Sequence, residues 1–274
     1  MKRLWARSTR NTELSAPKTH FEGRPPASLT LEDCDFYHYV ELADGRVVPG
    51  GWDLRGAEDV YLGHQSWAGK RVLELGPATG HLTFWMEAQG AEVVGFDLGP
   101  DVRPAVLRPE GPPAEHIQNQ MLAAVQRVHN GWWYLHRERK SKARLVHGDI
   151  YDLPDDDLGR FDIAVFGSIL LHLRDPFAAL REASRLTDTT IVVTDVEHEG
   201  LGEDDTIVRF DPSKGMAPMG WWGLSPGAVK RMLAILGFPD STIERHRQRY
   251  HDNDDTSRPA NDVDLFTIVA RRPQ

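Results

Sequence analysis

Apolar residues are scattered over the first seventy positions and become periodic only from Arg71 onward. Residues 1–30 are polar, carry Pro17, Pro25 and Pro26 and keep no period, so they predict an arm rather than an element. The run from Phe36 to Val40 predicts a strand, Asp44-Gly45 a turn, and Arg46-Val47-Val48 its hairpin partner. After Arg71, short apolar runs alternate with helical patterns, the signature of a parallel sheet with helices on both faces. Strands are predicted at Val72 to Leu75, Glu92 to Asp97, Ala143 to His147, Phe161 to Phe166 and Thr190 to Asp195. Helices are predicted at His81 to Gln89, Glu115 to His136, Pro176 to Leu186 and Pro226 to Leu236. Two final strands, Thr242 to Tyr250 and Val263 to Arg271, flank an acidic turn at His251 to Asn261.

Composition narrows the picture. With 274 residues, 40% hydrophobic and 27% charged, the chain can bury a full core. We expect an N-terminal arm and small hairpin over 1–55, then a ligand-binding domain over 56–274 with insertions at about 104–140 and 196–224. The basic opening lacks a signal peptide's apolar stretch, and no segment is apolar for the roughly 18 residues of a membrane helix. A soluble cytoplasmic protein is therefore expected; nothing in the pattern sets its oligomeric state. The single cysteine, Cys34, excludes an intramolecular disulfide and a Cys-rich zinc site. Asp252, Asp254 and Asp255 lack the ordered spacing of a calcium loop. The net charge of −9 leaves no broad surface for phosphates, so a nucleic-acid partner is disfavoured. The one basic cluster, Arg137 to Arg144, suits the solvated end of a helix.

The strongest chemical signal is Val72-Leu73-Glu74-Leu75-Gly76-Pro77-Ala78-Thr79-Gly80, a strand whose small-residue turn opens a helix. Glycines there allow close approach of a ligand, and the helix start offers unpaired N–H groups. The spacing fails the dinucleotide fingerprint Gly-x-Gly-x-x-Gly, because Ala78 holds the middle position and Gly80 comes one residue early. A methionine-derived sulfonium carries an ammonium as well as a carboxylate, and for it an acid such as Glu74 near the turn is useful. Asp97 ends the second strand about 20 residues past the turn, where a carboxylate can accept both hydroxyls of a ribose. Asp149, after the third strand, can accept from an adenine amino group. Three acids at successive strand ends form one constellation.

These residues resemble the class I S-adenosylmethionine-dependent methyltransferases, a likeness that runs from about Leu54 to the C-terminus. Glu74, Gly76, Ala78 and Gly80 stand at the positions of that family's Glu/Asp-x-Gly-x-Gly-x-Gly motif, with Ala78 a departure. The resemblance implies a Rossmann-like α/β fold with seven strands, mostly parallel with an antiparallel last strand. It implies S-adenosylmethionine as cofactor and S-adenosylhomocysteine as product, with Glu74, Gly76, Pro77, Ala78 and Gly80 at the methionine portion, Asp97 and Leu98 at the ribose, Asp149 and Ile150 at the adenine, and Gly167 and Ser168 beneath the sulfonium. Trp52-Asp53-Leu54-Arg55, Leu171-His172-Leu173-Arg174-Asp175-Pro176 and Leu224-Ser225-Pro226 are similar to elements of the tRNA wobble-uridine carboxymethyltransferase branch and its small-molecule relatives. The acidic balance opposes tRNA, which remains the alternative partner.

The acceptor is less defined. Both insertions follow strand C-termini, the side on which open α/β sheets bind ligands. Trp132 and Trp133 lie in the first, and Met216, Met219, Trp221 and Trp222 in the second. These side chains either roof the site or pack the insertions onto the sheet; as a roof they suit a small aromatic or apolar acceptor. Tyr37, Trp52, Arg55, Trp133, Asp195, His198, Trp221 and Trp222 are the candidate acceptor contacts. Arg55 is the cation in view for a carboxylated cofactor. His172 is the candidate base, since a neutral imidazole accepts a proton near pH 7; the other reading is a helix-entry histidine held by backbone. Glu197, His198 and Glu199 do not form a metal site, because adjacent residues point apart.

Overall fold

A computed structural model describes residues 20–106, 113–210, 220–251 and 260–273. Met216, Met219, the Asp252, Asp254 and Asp255 turn and the first 19 residues of the arm lie outside them. In chain order the strands are β1 (Phe21–Glu22), β2 (Val40–Glu41), β3 (Val47–Val48), β4 (Trp52–Asp53), β5 (Arg71–Leu75), β6 (Glu92–Leu98), β7 (Arg144–Gly148), β8 (Phe161–Gly167), β9 (Thr187–Val196), β10 (Val208–Phe210), β11 (Trp222–Leu224), β12 (Asp240–Tyr250) and β13 (Asn261–Arg271). The helices are α1 (Glu58–Tyr61), α2 (His81–Ala88), α3 (Ala114–Arg139), α4 (Asp155–Leu158), α5 (Pro176–Leu186) and α6 (Pro226–Ile235).

The main sheet runs β1-β7-β6-β5-β8-β9-β13-β12-β4. Strands β5 to β9 are mutually parallel, and β13 pairs antiparallel with both β9 and β12. The seven expected strands are all present. Two short edge strands extend the sheet: β1 lies antiparallel on β7, with Phe21 opposite His147, and β4 lies antiparallel on β12, with Tyr250 opposite Trp52. Two residues have no readable period, which is why the pattern did not predict them. The expected hairpin forms in shortened and shifted form as β2 and β3, separate from the main sheet: of the strand expected over Phe36 to Val40 only Val40 belongs to β2, and the pairing continues at Glu41.

Parallel strands covered on both faces need apolar residues at successive positions, not alternate ones. Val72 therefore packs with α2 and α3 in one layer, among Leu82, Phe84, Met86, Trp132 and Leu135. Its neighbour Leu73 packs in the opposite layer, with Leu180 and Ala183 of α5 and Val229 and Leu233 of α6. Helices α5 and α6 begin alike: Asp175 accepts from Ala178 N at 2.9 Å and Ser225 from Ala228 N at 3.1 Å, each followed by a proline in the first turn. Helix α3 ends at Lys140 in a left-handed conformation (φ +52°), so the basic cluster marks the passage from α3 into the start of β7. No helix among the described residues is long and apolar enough to cross a membrane.

Burial sets an expectation for single substitutions. Phe166, at 0% exposure in the middle of the sheet, should lose about 3–5 kcal/mol of stability as Phe166→Ala. Phe21→Ala, on the edge strand at 44% exposure, should cost less than about 1 kcal/mol. Urea unfolding of both variants measures the contrast; equal losses would contradict this layering.

Candidate active site

The parallel strands deliver Glu74, Asp97, Asp149, Gly167 and Asp195 to one edge of the sheet. Between β5 and α2 the backbone is left-handed at every second residue, with φ +72° at Gly76, +49° at Ala78 and +81° at Gly80. Glycine serves two of these positions through close approach as well as conformation. A Cβ on Gly76 would lie 2.3 Å from Ile169 Cδ1, and one on Gly80 would lie 2.6 Å from both Phe84 and Trp132. Ala78 adopts the same backbone at a cost of roughly 1–2 kcal/mol. The expected turn geometry therefore survives the missing middle glycine.

Glu74 is buried beneath this turn, and Thr83 of α2 donates a hydrogen bond to its carboxylate. Burial raises its pKa to about 7, opposed by the Thr83 hydroxyl. Asp97 differs. Burial pushes its carboxyl up, but His129 of α3, the Leu98 N–H at 2.7 Å and His147 together hold it below the usual value, so it is ionised. The His129 Nε2 lies 3.3 Å from Asp97 Oδ2, close but without the alignment of a full hydrogen bond. His147, with its ring 4.5 Å from that of His129, has its pKa lowered to about 4 by burial and by His129. Asp149 accepts from Tyr151 N at 3.0 Å, bending the chain after β7. Ser168, left-handed at φ +50°, donates its N–H to Thr194 O at 2.7 Å and has its hydroxyl 3.0 Å from the buried Tyr61 hydroxyl.

Two cavities lie along this edge. The larger, about 250 Å³, is lined by Asp97, Leu98, Asp149, Ile150, Tyr151, Ile169, His172, Arg174 and Trp221, among others. The smaller, about 20 Å³, is lined by Glu74, Gly76, Pro77, Ala78, Gly167 and Ser168 together with Tyr37, His38, Trp52 and Tyr61. Ile169, packed over Gly76, lies on the boundary between them. Of the candidate cofactor residues only Gly80 lines neither cavity; it caps the start of α2.

The candidate acceptor contacts divide. His172 and Trp221 share the larger cavity, while Tyr37 and Trp52 line the smaller. Trp133 is 8% exposed and lines a third cavity of about 180 Å³ with His129 and His147. Arg55 is held by Asp53 through two hydrogen bonds of 2.7 and 2.9 Å and lies over the Tyr39 ring, so its charge is matched locally. Asp195 is fully buried outside all these cavities, with Oδ1 accepting from Val196 N at 2.8 Å. Burial raises its pKa to about 7 against that backbone donor. His198 packs against Gly223, and the Trp222 indole N–H donates to Leu173 O at 2.7 Å.

Sequence reasoning missed His38, His81 and His129. His81 Nε2 is 3.0 Å from Glu58 Oε1, its ring is 5.4 Å from that of His38, and Nδ1 of each is buried without a hydrogen-bond partner among the described residues. Burial holds His38 neutral, well below the ordinary histidine pKa. The helical spacing of His129, Trp132, Trp133 and His136 was the available signal for His129. Among the described residues no group of three His, Cys, Asp or Glu side chains is arranged to hold a metal ion.

A family model described as a methyltransferase domain matches residues 61–259, and the chain belongs to that family. The fold resembles the N-terminal domain of EvdMO1, crystallised in the presence of SAH and D-fucose, with TM-score 0.50 and 21% identity over 88% of this chain and 93% of that one. A second EvdMO1 structure, at 18% identity and TM-score 0.48, is matched over 79% of this chain and 41% of that one. Burkholderia thailandensis 1,6-didemethyltoxoflavin-N1-methyltransferase shares 18% identity over 80% of this chain and 78% of that one, at TM-score 0.46. Magnesium protoporphyrin IX methyltransferase of Synechocystis PCC 6803 shares 13% over 80% and 82%, also at 0.46. No curated protein matches the sequence.

The raised carboxyls and the lowered buried histidines act oppositely on the pH dependence of the ligand-free protein. Glu74 and Asp195 bind protons more tightly folded than unfolded, so their contribution is present at low pH and is lost as pH rises toward 7. For Glu74, moving from 4.5 to about 7, the loss is on the order of 3 kcal/mol. His38 and His147, lowered by burial, act in the opposite sense over the same range, so the test is a difference: from pH 5 to 7 the unfolding free energy of Glu74→Gln should rise relative to that of the wild type. An unchanged slope in that variant would contradict the burial of an ionisable Glu74.

Proposed function

We propose that this methyltransferase binds S-adenosylmethionine along the edge formed by Glu74, Asp97 and Asp149 and methylates a small aromatic or apolar acceptor in the larger cavity. The observation that carries the reading is Asp97, an ionised carboxylate on the wall of the same cavity as His172. The residues fit the cofactor at three points. Asp97 can accept from two ribose hydroxyls. The left-handed turn at Gly76, Ala78 and Gly80 brings backbone close to the methionine portion, above a buried Glu74 suited to its ammonium. Asp149 and Ile150 line the adenine end of the cavity.

Bound cofactor supplies an electrophilic methyl group on a sulfonium. The chain's own part is alignment and, where the acceptor needs it, removal of a proton. Met121, Val125, Leu173 and Trp221 give the larger cavity an apolar wall that excludes water from a planar acceptor, and His172 is the base facing it. Residues 1–55 are read as an arm and hairpin whose Tyr37, His38 and Trp52 cover the methionine end, and 56–274 as the catalytic unit. For the tRNA alternative, the basic cluster runs from the end of α3 into the start of β7, whereas the acids stand at strand ends. Arg55 is ion-paired with Asp53, which weakens its case as the cation for a carboxylated cofactor.

Two measurements test the reading. S-adenosylhomocysteine should raise the melting temperature by mass action, and Asp97→Ala should weaken its affinity roughly 10- to 100-fold by removing the charged acceptor of the ribose hydroxyls. Full affinity in a folded Asp97→Ala protein would remove the assignment. His172→Ala should keep cofactor affinity and lower single-turnover methyl transfer to a metabolite extract by roughly 10²–10⁴-fold. Normal transfer would make His172 a structural residue.

A further inference from the structure

We propose that Trp222 is a positioning residue for His172, its indole N–H acting with the backbone N–H of Trp221 to hold the carbonyls on either side of that histidine. The proposal rests on the reading of His172 as the base.

His172 ends a three-residue 3-10 turn, Leu170–His172, between β8 and α5. Such a turn closes few bonds of its own. His172 N donates to Ile169 O at 3.0 Å and Leu173 N to Leu170 O at 3.2 Å. The chain enters it through Ser168, a non-glycine residue at φ +50°, so the local conformation is not one the backbone prefers. The next carbonyls, Leu171 O and Leu173 O, flank His172, and both are taken by the second insertion. Trp221 N donates to Leu171 O at 2.9 Å, and Trp222 Nε1 donates to Leu173 O at 2.7 Å.

Trp222 opens β11 and Trp221 immediately precedes it. Among the described residues β11 pairs only with β10, outside the main sheet, with Phe210 opposite Trp222, and the Phe210 ring lies 5.0 Å from that of Trp222 and 6.2 Å from that of Trp221. The tryptophan pair divides its work: the Trp221 side chain lines the cavity that holds His172, while Trp222 turns its N–H end onto the turn's exit. Cavity wall and base are thereby one unit. Trp222 is thus removed from the acceptor contacts and given a role that acts through His172.

Substitution separates the donors. Trp222→Phe removes a side-chain hydrogen bond, whereas Trp221→Phe keeps both, because Trp221 donates through its backbone. The readout is the ring ¹⁵N and ¹³C spectrum of histidine-labelled full-length protein with S-adenosylhomocysteine bound, the His172 signal being assigned by its loss in His172→Gln. The wild-type signal should report one tautomer with a narrow line. In Trp222→Phe it should shift and broaden roughly twofold or more as the turn samples several conformations, while the other histidines keep their signals. Should Trp222→Phe not fold, benzothienylalanine at position 222 keeps the ring shape without the N–H and should give the same change. An unaltered His172 signal in these variants, or an equal change in Trp221→Phe, overturns the proposal. Failure of S-adenosylhomocysteine to bind would instead strike the cofactor reading, and normal methyl transfer by His172→Ala the assignment of the base.

Discussion

The site depends on one chain reversal, the passage from β5 into α2 between Gly76 and Gly80. Strand β5 lies between β6 and β8 and is covered on both faces, so its exit has room for backbone and little else. Two side chains from different layers press on the turn: Ile169, after β8, over Gly76, and Trp132 of α3 over Gly80. A larger residue at either glycine meets a side chain already in place as well as a disfavoured φ. The same crowding links the regions on either side of the turn. Ile169 leads into the 3-10 turn of His172, while Trp132 belongs to the helix that brings His129 to Asp97.

Three acids at this edge share burial but not charge state. Glu74 has a hydroxyl donor and Asp195 backbone N–H donors from Val196 and Leu171, and burial outweighs both, raising each carboxyl to about 7. Asp97 has a histidine and a backbone donor and stays ionised. Such a division suits a ligand with hydroxyls at one end and an ammonium at the other. The ribose would meet a fixed negative acceptor, and the ammonium would meet a carboxyl that gives up its proton when a cation arrives.

Much of this was legible in the sequence, for a physical reason. Parallel strands buried on both faces must be continuously apolar, so Val72 to Leu75 and Phe161 to Phe166 announced themselves, and the strand ends carrying Glu74, Asp97 and Asp149 followed from them. Of the final antiparallel pair, Val263 to Arg271 was plain as a run rich in β-branched and aromatic residues, whereas Thr242 to Tyr250 carries mostly charged and polar ones and was marked by Thr242, Ile243 and Tyr250. The edge strands at Phe21 and Trp52 were not legible, since a strand of two residues leaves no period to read. Long-range partners were invisible for the same reason. Nothing local says that His129 reaches Asp97 across thirty-two positions, that Asp53 occupies Arg55, or that the Trp222 indole meets the Leu173 carbonyl. Tryptophan content located the insertion; its hydrogen bonds needed the fold.

This corner of the sheet should take an adenosyl amino acid rather than a dinucleotide. Native mass spectrometry of the full-length chain with equimolar S-adenosylhomocysteine and NAD decides between them in one spectrum. A single S-adenosylhomocysteine per chain and no NAD adduct should appear, and the S-adenosylhomocysteine adduct should be lost in Asp97→Ala. An NAD adduct in its place, or S-adenosylhomocysteine retained undiminished without Asp97, would contradict it.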